Sequence, residues 1–290
     1  AAMRRADSWL RTPSTGLVVA LGGFVAAPVA HAARRRGVPV ILLNLDQPPG
    51  KANRWTARHC TAVWSAVELT DDPDFAERIT GMPVRAAARA ERDPAAARAA
   101  LGLDPDRPTL LVTGASQGAT SLNRLLAALT DDPELVAALG PWQILHLTGS
   151  DDNATLRGTY AKAGLRAAVL PFVHPMGDAW AAADLAISRA GANSVAEIAW
   201  NHVPAIFLPY PWHADRHQHH NARPLVDAGG AVLIDDRVDP EANRAAIRAD
   251  LLELLRDDVR RESLRSALAA RPRVDGAAAI AAGLAERLGA

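Results

Sequence analysis

The residues that could do chemistry concentrate between Ala183 and Asn221. Leu185, Ala186 and Ile187 form a short apolar run, long enough for a buried strand. Gly191, Asn193 and Ser194 break it, and Ser194 to Trp200 resumes at helical spacing. Asn193 or Ser194 is a natural N-cap with Glu197 one turn in, the pattern of a capping box. A loop that turns into a helix in this way presents free main-chain N–H groups and the positive end of the helix dipole. Such an end suits a phosphate. On spacing alone, Glu197 does no more than complete the cap. A second apolar run, Val203 to Leu208, closes the unit.

Two further groupings invite a chemical reading. The run Thr109–Thr113 leads into Gly114-Ala115-Ser116-Gln117-Gly118-Ala119, where small residues let main-chain amides converge on an anion beside the Ser116 hydroxyl. Many α/β turns use glycine merely to turn, so that loop is weak by itself. His213, His217, His219 and His220 crowd together, and His213/His217 have the i, i+4 spacing of a zinc pair. Only Asp215 lies near as a carboxylate, which is thin for a hydrolytic metal site. Cys60 stands alone, which excludes an internal disulfide and fits a reducing compartment.

The order of these residues is more specific than any one pattern. R-A-G-A-N-S-V-A-E-I from Arg189, followed by P-Y-P-x-x-A-D-x-H-Q-x-x-N from Pro209, resembles the donor-site signature of the MurG glycosyltransferase family. L-V-T-G-A-S-Q-G-A-x-S-L-N from Leu111 is similar to that family's G-G-S-Q-G-A loop, with Ala115 replacing the second glycine. Gly22-Gly23-Phe24 with Pro28 resembles its G-G-Y-x-x-x-P turn, and Gly50, Asn53 and Arg54 match the end of its next motif. Members transfer N-acetylglucosamine from its UDP donor to lipid I in peptidoglycan synthesis.

The resemblance assigns roles by position. Ser116 is expected at the donor diphosphate, Arg85 as a donor-binding arginine, and Val173 as a main-chain uracil contact. Ala192, Asn193, Ser194, Val195 and Ala196 are expected to wrap the diphosphate and ribose. Glu197 is the expected ribose acceptor, and Gln218 and Asn221 would bond the sugar hydroxyls. Asp46 replaces a ligand-binding asparagine where the family reads H-E-Q-N, and Leu43, Asn44 and Leu45 fill the other three positions. The family carries its own A-D-x-H-Q without metal, so no metal and no cofactor are expected. Its G-G-T-G-G-H loop, the source of the favoured catalytic base, has no counterpart here. No catalytic residue is assigned, and residues 1–290 are expected to bind donor without transferring sugar.

Positioning such a site requires alternating strands and helices. Strands are expected at Leu17–Leu21, Val38–Leu43 and Ala62–Ala66, with helices Ala26–Arg36 and Lys51–Arg58. Three strands with so few helices leave a parallel sheet uncovered. That deficit and the opening Ala1-Ala2-Met3 suggest an incomplete N-terminal domain. Six more strands, beginning at 109, 143, 167, 185, 205 and 231, alternate with helices in doubly wound fashion. The expected fold is α/β, of GT-B type with two Rossmann-like parallel-sheet domains. Residues 1–84 would be the acceptor-side remnant, and 85–290 the UDP-sugar domain with a closing C-terminal helix.

Composition sets the outer bounds. A chain 49% hydrophobic and 22% charged belongs with globular proteins, and its zero formal net charge gives no pull toward nucleic acid. Leu17 to Ala33 contains Gly22, Gly23, Pro28 and His31, so it reads as strand, turn and helix rather than a membrane span. Arg34, Arg35 and Arg36 could meet anionic headgroups. The resemblance implies an enzyme peripheral to the cytoplasmic face of the inner membrane, acting on an undecaprenyl-linked acceptor. A glycolipid acceptor, or a UDP-N-acetylglucosamine sensor without catalysis, are the alternatives.

Overall fold

The structure, a computed structural model, describes residues 6, 10, 15–114, 119–149, 153–212 and 215–289. It divides into two units, Ala1–Pro83 with Val274–Ala290, and Val84–Arg273. In the first unit β1 (Val18–Ala20), α1 (Gly23–Arg35), β2 (Val40–Asn44), α2 (Lys51–Ala57), β3 (Ala62–Ser65) and β4 (Arg78–Ile79) follow in order. The strands form one parallel sheet in the order β1-β2-β3-β4. The two-residue β4 is the strand that apolar patterning does not reveal, because Arg78 and Ile79 are both exposed.

The second unit carries the larger sheet. Its elements are α3 (Pro94–Ala100), β5 (Thr109–Thr113), α4 (Thr120–Leu129), α5 (Pro133–Leu139), β6 (Gln143–Leu147), α6 (Asn153–Lys162) and β7 (Arg166–Leu170). They continue with α7 (Met176–Ala182), β8 (Leu185–Ser188), α8 (Ala192–Asn201), β9 (Ala205–Phe207), α9 (His217–Asp227), β10 (Ala231–Leu233), α10 (Pro240–Arg256) and α11 (Asp258–Ala269). All six strands are parallel, in the order β10-β9-β8-β5-β6-β7.

Period-two alternation explains why these strands read as continuous apolar runs. Leu110, Val112, Ile144, Leu185, Ile187 and Ile206 pack into a core with α4, α5, α6 and α10. The intervening Leu111, Leu145, Ala186 and Phe207 turn to the opposite face, against α3, α7, α8 and α9. Three helices begin at Asp-Pro pairs. Asp93, Asp132 and Asp239 accept from first-turn amides while Pro94, Pro133 and Pro240 occupy the position where no N–H is needed.

The last helix, α12 (Gly276–Leu288), corrects the expected division, which put everything after 85 in the second domain. Its Ile280 and Leu284 pack against Ile41, Leu43 and Trp64, on the sheet face opposite that served by Val40 and Leu42. A parallel sheet needs cover on both faces, and α12 supplies the second. Gly276 and Gly283 permit the approach. A Cβ on Gly276 would lie 2.2 Å from the Gly81 carbonyl oxygen, and one on Gly283 would lie 2.8 Å from the Trp64 ring.

Candidate functional site

The order of the larger sheet fixes where a ligand belongs. From β5 the chain moves to β6 and β7 on one side, then returns to β8 on the other. The loops after β5 and β8 therefore diverge, and α/β sheets bind ligands in the crevice so opened beyond the strand carboxyl ends. Residues 115–118, including Ser116 with its expected diphosphate role, lie outside the described residues.

Helix α8 starts at this switch point, two residues earlier than the sequence pattern suggests. Its N-cap is Gly191, in extended conformation, with no side-chain capping bond. The first helical bond runs from Val195 N to Gly191 O, so the amides of Ala192, Asn193 and Ser194 form the open first turn. The expected capping box is corrected accordingly: Asn193 and Ser194 are inside the helix, and Glu197 caps nothing. What remains is an uncapped helix N-terminus with its partial positive charge facing the crevice.

Glu197 has a different fixture. It is buried, and its Oε2 accepts from the indole Nε1 of Trp180 on α7 at 2.9 Å. Its Oε1 lies 3.5 Å from Nη2 of Arg85, a side chain left 76% exposed. One carboxylate oxygen is thus locked by the core, and the other faces a solvent-accessible cation.

Of the remaining expected residues, Gln218 and Asn221 sit in the first turns of α9. This helix begins at His217, where Arg216 adopts a left-handed conformation and Asp215 accepts from His217 N at 3.3 Å. Gln218 Oε1 accepts from Tyr210 N at 2.8 Å, which leaves its NH2 as the group offered to a ligand. Asn221 is buried and donates to Ala190 O at 3.4 Å, holding the loop that enters α8. Val173 lies in the loop after β7, half-buried against the core beside Met176. Asp46 belongs to the first unit, where its carbonyl accepts from Asn44 Nδ2 at 2.8 Å. Hence the structure brings Arg85 to Glu197 and Asn221 to the loop that enters α8, while Gln218 is held at Tyr210 and Val173 lies in the loop after β7.

His217 and His219 pair with carboxylates rather than with one another. His217 Nδ1 lies 2.8 Å from Asp215 Oδ1, and His219 Nε2 lies 2.6 Å from Asp235 Oδ1. Among the described residues no group of three or more metal-ligating side chains occurs, and His213 lies outside them.

Spacing also gave no sign of what Arg189, the residue that follows β8, does in the fold. Its Nη1 donates to Leu208 O at 2.7 Å and Pro209 O at 3.1 Å and lies 2.7 Å from Asp236 Oδ2 as an ion pair, and its Nη2 donates to Ser121 Oγ at 2.6 Å. Burial alone would push the Asp236 carboxyl up. Hydrogen bonds from Ser121, Asn243 and the Val238 amide, with the Arg189 charge, outweigh that and hold it below the usual carboxylate range. One guanidinium thereby ties together the ends of β8, β9 and β10 and the first turn of α4. A companion network lies behind it. His146 Nε2 meets Asn123 Oδ1 at 3.0 Å and Nδ1 meets the Tyr160 hydroxyl at 2.8 Å, while Asn123 Nδ2 donates to Thr148 O.

The family model of the glycosyltransferase family 28 C-terminal domain matches residues 109–279. The UDP-N-acetylglucosamine--N-acetylmuramyl-(pentapeptide) pyrophosphoryl-undecaprenol N-acetylglucosamine transferase of a Nocardioides species is 41% identical over 244 residues, 81% of this chain and 64% of the relative. The transferase of the same name from Clavibacter sepedonicus is 40% identical over 268 residues, 91% of this chain and 69% of its own length. The chain thus spans roughly two thirds of these relatives. The crystal structure of Acinetobacter baumannii MurG superposes with a TM-score of 0.68 at 28% identity, covering 96% of this chain and 76% of that one. That likeness places the two parallel sheets in the expected GT-B class. On a family model covering more than half its length and relatives matched over most of theirs, the chain belongs to the MurG group of family 28 glycosyltransferases.

Proposed function

We propose that this chain binds UDP-N-acetylglucosamine and serves an inverting transfer of N-acetylglucosamine to a lipid-linked N-acetylmuramyl-pentapeptide. The observation that carries the reading is the Glu197 carboxylate, fixed by Trp180 at the switch point, with Arg85 beside it and the open turn of α8 alongside. A carboxylate so held is a rigid acceptor for the vicinal hydroxyls of a ribose. The amides of Ala192, Asn193 and Ser194 then receive the diphosphate. In the transfer the acceptor hydroxyl attacks the anomeric carbon and gives up its proton, to water or to the departing diphosphate where no side chain is assigned as base, while the bond to the diphosphate oxygen breaks and negative charge grows on the leaving UDP. Preorganised donors aimed at such charge are worth about 2.7–4 kcal/mol each in other enzymes. Arg85 adds a mobile cation to the same end.

Val173 is assigned to the uracil through its main chain, and Gln218 with Asn221 to the sugar. Ser116 completes the diphosphate contacts and Asp46 lies on the acceptor side in this scheme. The relatives' shared name supports the acceptor class. In this reading, contact with the lipid carrier is made peripherally at the cytoplasmic surface; no helix among the described residues is long and apolar enough to cross a membrane. Titration calorimetry with UDP-N-acetylglucosamine, UDP and ADP, with and without chelator, tests the proposal. The uridine ligands should bind at least about tenfold more tightly than ADP, a difference of about 1.4 kcal/mol. Equal affinity for ADP and UDP would overturn it, and loss of UDP binding in chelator would reopen the histidine cluster as a metal site.

A further inference from the structure

The carboxyl end of α8 holds the segment that carries Arg85. Asn201, the last residue of that helix, donates from Nδ2 to Ala88 O at 2.9 Å and to Glu197 O at 2.8 Å. Its Oδ1 accepts from Ala90 N at 2.8 Å. Residues Ala86–Ala88 form a single 3-10 turn whose N-cap is Arg85, closed by Ala88 N to Arg85 O at 2.9 Å. On the other side of Arg85, the Arg89 guanidinium donates to Val84 O from Nε at 3.3 Å and from Nη2 at 3.1 Å. The same guanidinium lies over the Trp200 ring, 4.3 Å from its centroid, and Arg273 approaches that ring at 5.7 Å. Gly177 on α7 completes the seat, since a Cβ there would fall 2.2 Å from Arg89 O.

The main chain on both sides of Arg85 is therefore fastened to one helix, while the Arg85 side chain stays exposed with Glu197 as its ion-pair partner at 3.5 Å. A long cation on a free stem gains little by pairing at a surface. Its orientation toward a ligand depends on where its Cα is held. We propose that Asn201 and Arg89 are positioning residues for donor binding: they set Arg85 against the diphosphate end of the site, so one helix presents both the anion-binding amides and the arginine. The assignment rests on the donor-site reading above. Neither residue touches the donor in this scheme; each acts through Arg85.

A double-mutant cycle on the full chain reads this directly. UDP affinity is measured by calorimetry for the unmodified protein, Asn201→Ala, Arg89→Ala, Arg85→Ala, and the two doubles with Arg85→Ala, with a thermal melt of each. Asn201→Ala and Arg89→Ala should each weaken UDP binding about fivefold in the unmodified background and less than about twofold once Arg85 is gone, as coupled neighbours do. Arg89→Ala leaves the Asn201 hydrogen bonds in place, so it serves if Asn201→Ala yields little folded protein. A lowered melting temperature with unchanged affinity, or equal losses in both backgrounds, would mean that these residues only cap and pack, and the proposal fails. UDP binding unaffected by Arg85→Ala also defeats it while leaving the donor site standing. Failure of the unmodified protein to bind UDP defeats both.

Discussion

Arg189 and Asp236 meet at 2.7 Å, Nη1 to Oδ2, with both side chains withdrawn from solvent. The pair is closed by polar partners on every side, since Ser121, Asn243 and the Val238 amide all bond the carboxylate. A buried charge without its partner is far more costly than the absence of both. Asp236→Ala should therefore destabilise the protein by about 3–5 kcal/mol, measured by urea unfolding. Replacing both, as Arg189→Met with Asp236→Leu, should recover a large part of that loss. If the double variant is no more stable than the single one, the pair stabilises by geometry that apolar side chains cannot replace.

Glu197 tests the nucleotide site itself. Glu197→Gln keeps an oxygen for the Trp180 N–H, so the melting temperature should move little. It removes the charge that strengthens a hydroxyl–carboxylate bond but keeps a neutral one, so UDP affinity should fall by about 1–1.5 kcal/mol, the difference between the two. A variant that binds UDP normally but melts earlier would return Glu197 to a purely structural role, as a partner for the tryptophan.

The contrast between these two residues marks what a sequence can disclose. The strands were legible because apolar runs bounded by Gly and Pro are local signals, and the α8 loop was legible because its order matches a known motif. Glu197 was found for the right segment but with the wrong local partner: spacing points to a cap three residues away, and the structure bonds it to Trp180, seventeen positions back. Arg189 and Asp236 lie too far apart in the chain for periodicity to relate them. Helices α3 and α5 were missed, although Asp93-Pro94 and Asp132-Pro133 carry the same Asp-Pro start as Asp239-Pro240. The placement of α12 depended on which sheet face lacked cover, a property of the assembled fold and not of residues 276–288.

That placement makes its own prediction. Gly276→Ala would set a Cβ against the backbone of Gly81 and Met82, at 2.2 and 2.6 Å, where no side chain can swing aside. It should cost about 1–3 kcal/mol or more and raise hydrogen exchange in β2 and β3, the strands α12 covers. Gly158→Ala, on α6 with nothing within 4 Å of its would-be Cβ, is the control. It should stabilise by about 0.5–1 kcal/mol through helix propensity alone. Equal and small effects at both positions would place α12 away from that sheet.

His146 predicts the response to acid. Asn123 Nδ2 is committed to Thr148 O, so its Oδ1 faces His146 and selects the tautomer with the proton on Nε2; Nδ1 then accepts from Tyr160. Burial pushes this imidazole down to about 4, and burial likewise pushes the Tyr160 hydroxyl up. The native state therefore refuses a proton that the unfolded chain accepts near pH 6.5. Stability is whole above that value and falls as pH drops toward about 4, by up to roughly 3 kcal/mol. His146→Gln removes the titration, so between about pH 7 and about pH 5 the unmodified protein should lose roughly 2 kcal/mol more than the variant. His59 and His202 are also held low, first by burial, and shift both proteins alike. The lowered carboxyls of Asp132 and Glu134, held down first by hydrogen bonds from Arg248 and Arg256, act only at more acid pH. Parallel pH curves for the two proteins would show that His146 takes up its proton in the folded state, and the tautomer argument would fall with it.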